Sequence, residues 1–483
     1  MPAPAANALA YHPDMDVALP RQAGLPAQRG PLSQECGNDA SSRQRSGVAP
    51  GVNIAPGSDD DGWLVPQPVE LADGTRLQLY KDGEALHAAY DAIAGAKFLV
   101  CLEVYIFAND ETGRIFTDLL CKRAREGVRV YVIYDDLGSM GAGELFKRLA
   151  AAGVRLGKFH PVFPWELKFS WRPWNRNHRK LLVIDNELAG MGGLNLGANY
   201  AGSWVVRNVQ NLSGAFAGRR VGRMVGSAAA RVAGSTPNSA IGDVDGDGTA
   251  EHPECDVWRD TAVGLRGPAA KVFMQAFARS WSYVSRGGRI SRAAYEHGLD
   301  GGDNELGLLA SVPTVHSPLA PLLCRLMRGA RESIMLTMAY FVPDDPLVEE
   351  LCHAAKRGVR VRLMLPGRSD VRVVQIAARS FYEKLMTCGI EIYERQVVVL
   401  HSKTMVVDGK ASVVGSANLD HRSIEYNLEL STIVRSGQFG AQMIDLFEND
   451  VRYATRINLA EWRRRPWLDR AVQWGVSRAR YLM

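Results

Sequence analysis

Apolar and polar positions along the chain follow two alternating periods. From Glu84 to Ala96 the apolar residues fall at helical spacing, and Lys97–Phe107 (KFLVCLEVYIF) is an apolar run of strand length. Gly113–Glu126 is helical again, Val128–Tyr134 (VRVYVIY) a strand, Phe146–Ala152 a helix and Val154–Phe159 extended. Strands alternating with helices of this length predict α/β layers with mixed, largely parallel sheets.

The same order returns further on. Ser333–Val342 (SIMLTMAYFV) matches the first strand, Ala355–Val361 (AKRGVRV) repeats Ala124–Val130 (AREGVRV), and Gly389–Tyr393 answers Gly153–Gly157. A repeat this long means two homologous domains, since solenoid units are several-fold shorter. The expected boundaries are a disordered, Pro/Ala/Gly/Ser-rich leader over 1–62, a first domain over 63–290 and a second over 291–455. A stretch dominated by small residues, about 205–256, reads as an insertion into the first domain. Residues 456–483 form a basic, aromatic segment, a candidate membrane-surface helix.

Each half carries one copy of the pattern H-x-K-x4-D-x6-G-x-x-N. The first is His178, Lys180, Asp185, Gly192 and Asn195; the second is His401, Lys403, Asp408, Gly415 and Asn418, every pair offset by 223 positions. His and Lys two apart on a strand project from one face. The apolar run behind them buries the strand, Asp follows where it ends, and the Gly-x-x-Asn turn returns an amide. Imidazole, ammonium and carboxamide together suit a phosphodiester, supplying a nucleophile, a countercharge and a neutral donor. With two copies facing each other, one His can attack phosphorus while the other protonates the leaving alcohol.

The paired motif resembles that of the phospholipase D superfamily, over about Trp63 to Asn449. Finer matches are to bacterial cardiolipin synthases: Leu102–Phe107, Tyr134–Ser139, Asn177–Lys180, Trp258–Thr261, and Gly415–Ser423 with Asn427–Glu429. The resemblance implies two phospholipase-D-like α/β/α sandwich domains sharing one active site at their interface. It also implies a phosphohistidine intermediate, no metal or other cofactor, and transfer of a phosphatidyl group between alcohols. On this reading His178 is the nucleophile and His401 the acid, then base, with Lys180, Lys403, Asp185 and Asp408 in the catalytic set. Asn195, Asn418 and Ser416 would bind the phosphate. Gly193 stands where the second motif has Ser416, so the halves do different work.

Three carboxylates are expected close behind. Asn418 to Glu429 is 11 positions, whereas Asn195 to Asp260 is 65, which the insertion explains. Glu429 or Asp260 would take an imidazole's second N–H and fix its tautomer. Glu103, a lone acid in an apolar strand, is costly unless paired, so it too is expected near the site.

Composition narrows the substrate. A net charge of +5 on 483 residues permits an anionic partner without demanding one, and 46% hydrophobic against 23% charged residues is a globular balance. Seven scattered cysteines, none spaced C-x-x-C, argue against a disulfide framework or zinc site. No signal peptide is visible, and no run reaches the ~18–20 apolar residues of a membrane span. The resemblance implies a phospholipid partner, phosphatidylglycerol with phosphatidylethanolamine as an alternative and no nucleic acid; without a signal or a span, the enzyme is expected to meet it peripherally at the cytoplasmic face of the bacterial inner membrane. The aromatic stretch Phe159–Trp174 and the six arginines from Arg463 to Arg480 suit such a surface. Asp243–Glu254 matches a calcium-loop pattern, but Pro253 and a non-helical approach favour an acidic turn. The competing activities are a phospholipase D hydrolase releasing phosphatidic acid and a nuclease of the same superfamily. A non-catalytic lipid-binding scaffold would predict decay of one motif, and both are intact.

Overall fold

The computed structural model describes residues 62–163, 174–202, 258–286, 304–311 and 318–478. The leader, the inserted segment with its calcium-like loop, and the end of the basic tail lie outside the described residues. In the first half the elements are β1 (Val69–Glu70), β2 (Arg76–Lys81), α1 (Glu84–Ala94), β3 (Leu99–Val104), α2 (Glu111–Arg125), β4 (Arg129–Asp135), α3 (Gly143–Ala151), β5 (Arg155–Phe159), β6 (Leu181–Ile184), β7 (Leu188–Gly192), α4 (Ala198–Ala201), β8 (Trp258–Arg259), β9 (Thr261–Arg266) and α5 (Ala270–Ser285). The second half continues with β10 (Leu306–Ala310), α6 (Leu319–Gly329), β11 (Ser333–Met338), α7 (Asp345–Lys356), β12 (Arg360–Arg368), α8 (Arg372–Arg379), α9 (Tyr382–Thr387), β13 (Glu391–Leu400), β14 (Lys403–Val407), β15 (Ala411–Gly415), β16 (Leu430–Val434), α10 (Gly437–Val451) and β17 (Ala454–Arg456), then the tail helices α11 (Leu459–Arg463) and α12 (Trp467–Arg478).

The two sheets repeat one topology. The first runs β1-β2-β9-β7-β6-β3-β4-β5 and the second β10-β16-β15-β14-β11-β12-β13-β17. Both are mixed. Parallel pairing within each repeat is confined to β3-β4-β5 and β11-β12-β13, while the strands carrying the motifs pair antiparallel. The reason is local: a three-residue turn after each motif folds the chain straight back, and a parallel neighbour would need a long crossover.

The repeated AREGVRV and AKRGVRV segments are helix-to-strand turns. Gly127 and Gly358 both stand at φ 92° just past α2 and α7, the left-handed stop that a side chain resists. At its other end α2 is capped by the Asp110 carboxylate, which accepts from Gly113 N at 2.9 Å. One face of the first sheet packs against α1, α2 and α3 through Val100, Leu102, Val130 and Val132, each such side chain contributing about 1.5–3 kcal/mol by burial. α5 covers the other face.

Two buried arginines join the halves. Arg259 forms a two-pronged pair with Asp450 of α10 at 2.8 and 2.9 Å, and Arg179 reaches Ser280 Oγ at 2.8 Å and the carbonyls of Ser311 and Glu429 at 2.7 and 3.2 Å. Stripping either side from such a buried pair would strand a charge in the interior.

Candidate active site

Each motif histidine lies in the extended segment just before its hairpin, held by a strand of the opposite half. His178 N donates to Leu428 O at 2.9 Å, and His401 N donates to Arg259 O at 2.8 Å. The bridge Asn177–Leu428 and the short β8–β13 pairing are the same contact made twice, once in each direction. The two halves thus exchange strands about a pseudo-twofold axis.

That exchange crosses the carboxylates. His178 Nδ1 lies 3.1 Å from both oxygens of Glu429, and His401 Nδ1 lies 2.8 Å from Asp260 Oδ2. Each half therefore orients the other half's imidazole. An Nδ1–H held by a carboxylate leaves Nε2 bare, which is the state that attacks phosphorus or accepts a proton.

Ser416 Oγ donates to Glu429 Oε2 at 2.5 Å and accepts from Leu430 N at 3.0 Å. It is fully buried behind the carboxylate, so it positions Glu429. Gly193 cannot copy it, because a Cβ there would overlap both carboxylate oxygens of Asp260. The shorter acid sits closer to its own backbone and needs a residue without a side chain opposite.

Asp185 and Asp408 are placed elsewhere. The Asp185 carboxylate accepts from the amides of Lys97, Phe98 and Leu99, and Asp408 accepts from those of Arg331, Glu332 and Ser333, all within 2.7–3.0 Å. Both stand at φ 52° in the turns after β6 and β14, at the far end of the strand from the lysine. The two carboxylates expected in the catalytic set are thus bonded to backbone amides away from the imidazoles. They are turn residues that tie the hairpin to the start of the neighbouring strand, and the side chain is consumed in doing so.

The amides of Asn195 and Asn418 are anchored by their oxygens, which accept from Ile106 N at 3.0 Å and Tyr340 N at 3.3 Å; Asn195 Nδ2 also donates to Tyr200 Oη at 2.7 Å. Glu103 is wholly buried and accepts from Asn177 Nδ2 at 2.8 Å, so it holds the residue before His178 rather than the imidazole.

Burial sets the electrostatics. Desolvation holds both imidazoles below their usual range, His401 well below, with Glu429 opposing the effect at His178 and the two lysines reinforcing it at His401. Burial, with Lys403 adding to it, drives Lys180 far down, and Lys403 is pushed down to about 8, again chiefly by desolvation. Asp260 is raised to about 6 by burial against the pull of Lys403, while the neighbouring His178 keeps Glu429 below the ordinary carboxylate range despite its burial. The site is a buried cluster in which Lys180 and Lys403 stand beside the carboxylates of Glu429 and Asp260.

A family model described as cardiolipin synthase, PLD-like domain, matches residues 323–451. A cardiolipin synthase of Geobacillus thermodenitrificans is 30% identical over 417 residues, spanning 85% of this chain and 72% of that one. The chain belongs to the cardiolipin synthase family of phospholipase-D-like enzymes. As a member it is a phosphatidyltransferase of the phospholipase D type. A probable cardiolipin synthase of Bacillus subtilis is 27% identical over 406 residues, covering 83% and 70% of the two chains. A phosphatidylserine synthase of Haemophilus influenzae shares the fold, with a TM-score of 0.58 at 12% identity over 86% of this chain and 97% of that one.

Four aromatic residues with no role expected from the sequence join the site, although Tyr105 and Trp258 lie within its matched segments. Tyr105 packs edge-on to His178 with centroids 5.1 Å apart and lies 5.3 Å below Lys180 Nζ. Tyr200, Trp258 and Tyr340 surround His401 at 5.5, 4.9 and 6.5 Å. Tyr105 and Tyr340 stand just past β3 and β11, Trp258 opens β8 and Tyr200 lies in α4.

The tail is only in part the free basic face expected. Trp462 packs on Tyr382 at 5.0 Å beneath Arg465, and Arg463 bonds Glu383 at 3.2 Å. α12 lies against α8, leaving Trp467, Leu468 and Val472 exposed at 72%, 57% and 53%. Phe159 is buried, whereas Phe163 and Trp174 are exposed; residues 164–173 between them lie outside the described residues. No described helix is long and apolar enough to cross a membrane.

Proposed function

We propose that the enzyme joins two phosphatidylglycerol molecules into cardiolipin and releases glycerol through a phosphohistidine intermediate. The crossed carboxylate–imidazole pairs carry this reading, because each holds Nδ1 on a carboxylate and leaves Nε2 for the substrate, bare for attack in His178 and able to carry a proton in His401. His178 Nε2 attacks phosphorus, forming a P–N bond as the P–O bond to glycerol breaks, and His401, entering this step as the imidazolium that Asp260 balances, gives its Nε2 proton to the departing alkoxide. His401 then takes the proton from the hydroxyl of a second phosphatidylglycerol, whose oxygen displaces His178. Lys180, Lys403 and the NH2 ends of Asn195 and Asn418 balance the nonbridging oxygens. One phosphodiester replaces another, so no nucleotide is needed.

The product mixture tests this. Phosphatidylglycerol labelled in its headgroup glycerol should yield one free labelled glycerol per cardiolipin. Phosphatidic acid as the sole lipid product would identify a hydrolase instead. We further propose that Trp467, Leu468 and Val472 touch an anionic bilayer. Trp467→Ser with Leu468→Ser should weaken sedimentation with anionic vesicles several-fold, and unchanged sedimentation would remove this contact from the account.

A further inference from the structure

The first half contains a cavity of about 380 Å³ between α1 and the sheet, within the size range of small-ligand pockets. The equivalent positions of the second half carry larger apolar residues. The repeat can be superposed in two registers: Asp185 and Asp408 bind equivalent amides ahead of β3 and β11 at an offset of 234, and the motif strands correspond at 223. In the first register Ala85, Ala88, Ala89 and Ala92 of α1 stand where α6 has Leu319, Leu322, Leu323 and Leu326. Across the slot the paired glycines Gly190 and Gly264 stand where the second half pairs Val413 with Ile433. The six larger residues belong to the second half's apolar core or pack against it; the six smaller ones line the cavity.

Packing alone gives no reason for this difference, since the other copy buries larger residues between the same layers and voids reduce stability. The slot also leads somewhere. It runs along β7 and β9 from Gly192 and Ala262, beside Lys180 at the catalytic end, to Leu188 and Arg266 at the other. Five residues of strand span about 15 Å. One leaflet of a hydrocarbon core about 30 Å thick, and hence one acyl chain, is also about 15 Å.

We propose that this slot binds one acyl chain of the phospholipid whose phosphate meets Lys180. The inference rests on the phospholipid reading of the site and adds where the lipid's apolar part goes. An extended chain in the slot would enter at Lys180 and run beneath α1, fixing the lipid by its tail while the phosphodiester lies between the histidines. The slot's wall of alanine and glycine leaves room for methylenes where the second half has its own leucine, valine and isoleucine.

Ala89→Leu with Gly190→Val copies the second half into the first and touches no motif residue. A Cβ at Gly190 meets nothing closer than 3.8 Å, so the larger side chain enters open space. The double variant should melt no lower than the parent, because it fills a void. Each methylene displaced costs about fourfold in affinity, about 0.8 kcal/mol. Displacing three should lower kcat/KM for dioleoyl phosphatidylglycerol about 60-fold while leaving the dihexanoyl lipid within about threefold. Equal losses on both lipids, or none on either, would overturn the proposal. A second measurement uses the unaltered protein, in case the variant misfolds. Phosphatidylglycerol with a diazirine near the end of one acyl chain is photolysed on the enzyme and the adducts are mapped. Adducts on 84–94 and 188–192 are expected; adducts confined to other segments would refute the slot. Turnover with no label in the slot would sink this inference alone, and label without transfer would sink the proposed function alone.

Discussion

Asp260→Asn isolates the carboxylate–imidazole pair with almost no change of shape. Asp260 Oδ1 accepts from Thr261 N at 2.8 Å, and Oδ2 faces His401 Nδ1 at 2.8 Å. In the amide, the backbone N–H keeps the oxygen on its own side, so the NH2 must turn toward His401. The amide then donates to Nδ1, and the imidazole adopts the tautomer that carries hydrogen on Nε2. A ring in that state cannot accept the second alcohol's proton. Loss of a positioned general base costs about 10²–10⁴ in rate, and a wrong tautomer lies toward the upper end. That range corresponds to about 3–5 kcal/mol in the barrier. The assay is a rapid-quench time course on labelled phosphatidylglycerol, with thermal melting as a check on folding. The expected result is a slow steady state with up to one equivalent of label retained on protein, because formation of the adduct is less affected than its release. Steady-state turnover within tenfold of the parent, in a folded variant, would refute the tautomer argument.

Gly193→Ser should lower kcat about 100-fold by driving the Asp260 carboxylate off His401; adding Asp260→Glu, which recreates the Ser416–Glu429 pairing, should restore part of it, and the ratio of the two kcat values is the readout. Asp185→Ala should leave kcat of the folded enzyme nearly unchanged while reducing stability by about 2–3 kcal/mol, measured in urea, because three backbone amides lose a charged acceptor. The pH profile of kcat/KM should fall on the alkaline side near pH 8, where Lys403 loses its charge as pH rises, and on the acid side near or below 6, where Asp260 gains a proton as pH falls. Lys403→Arg should carry the alkaline limb to higher pH, since a guanidinium stays charged.

The repeat, the two α/β layers and the two His/Lys pairs were legible because identical spacing in two places is a strong constraint on a chain. Asp260 and Glu429 were expected beside the imidazoles, but their crossed pairing was not legible. Which carboxylate meets which imidazole depends on strands exchanged between halves, and residues 251 positions apart, His178 and Glu429, leave no local trace of their contact. The surroundings of Asp185 and Asp408 were hidden for a different reason. Their place in the motif suggested chemistry, yet Asp185-Asn186 and Asp408-Gly409 are turn-forming pairs whose left-handed backbone and self-contained hydrogen bonding explain them without substrate. Gly193 showed as a departure from Ser416, and only the position of Asp260 gives the reason. The tail's composition indicated amphipathicity correctly but could not say that Trp462 is spent on Tyr382.

The central claim is that phosphorus passes through a histidine, and it is tested by trapping. P–N bonds to imidazole are base-stable and acid-labile, so enzyme turning over phosphatidylglycerol with labelled phosphorus should be quenched in alkaline denaturant, digested and sequenced by mass spectrometry. The account predicts a phosphatidyl adduct on His178, lost in acid and enriched in His401→Asn. Label on His401 alone would exchange the two roles. Turnover with no histidine adduct at any quench time, in either protein, would contradict the mechanism.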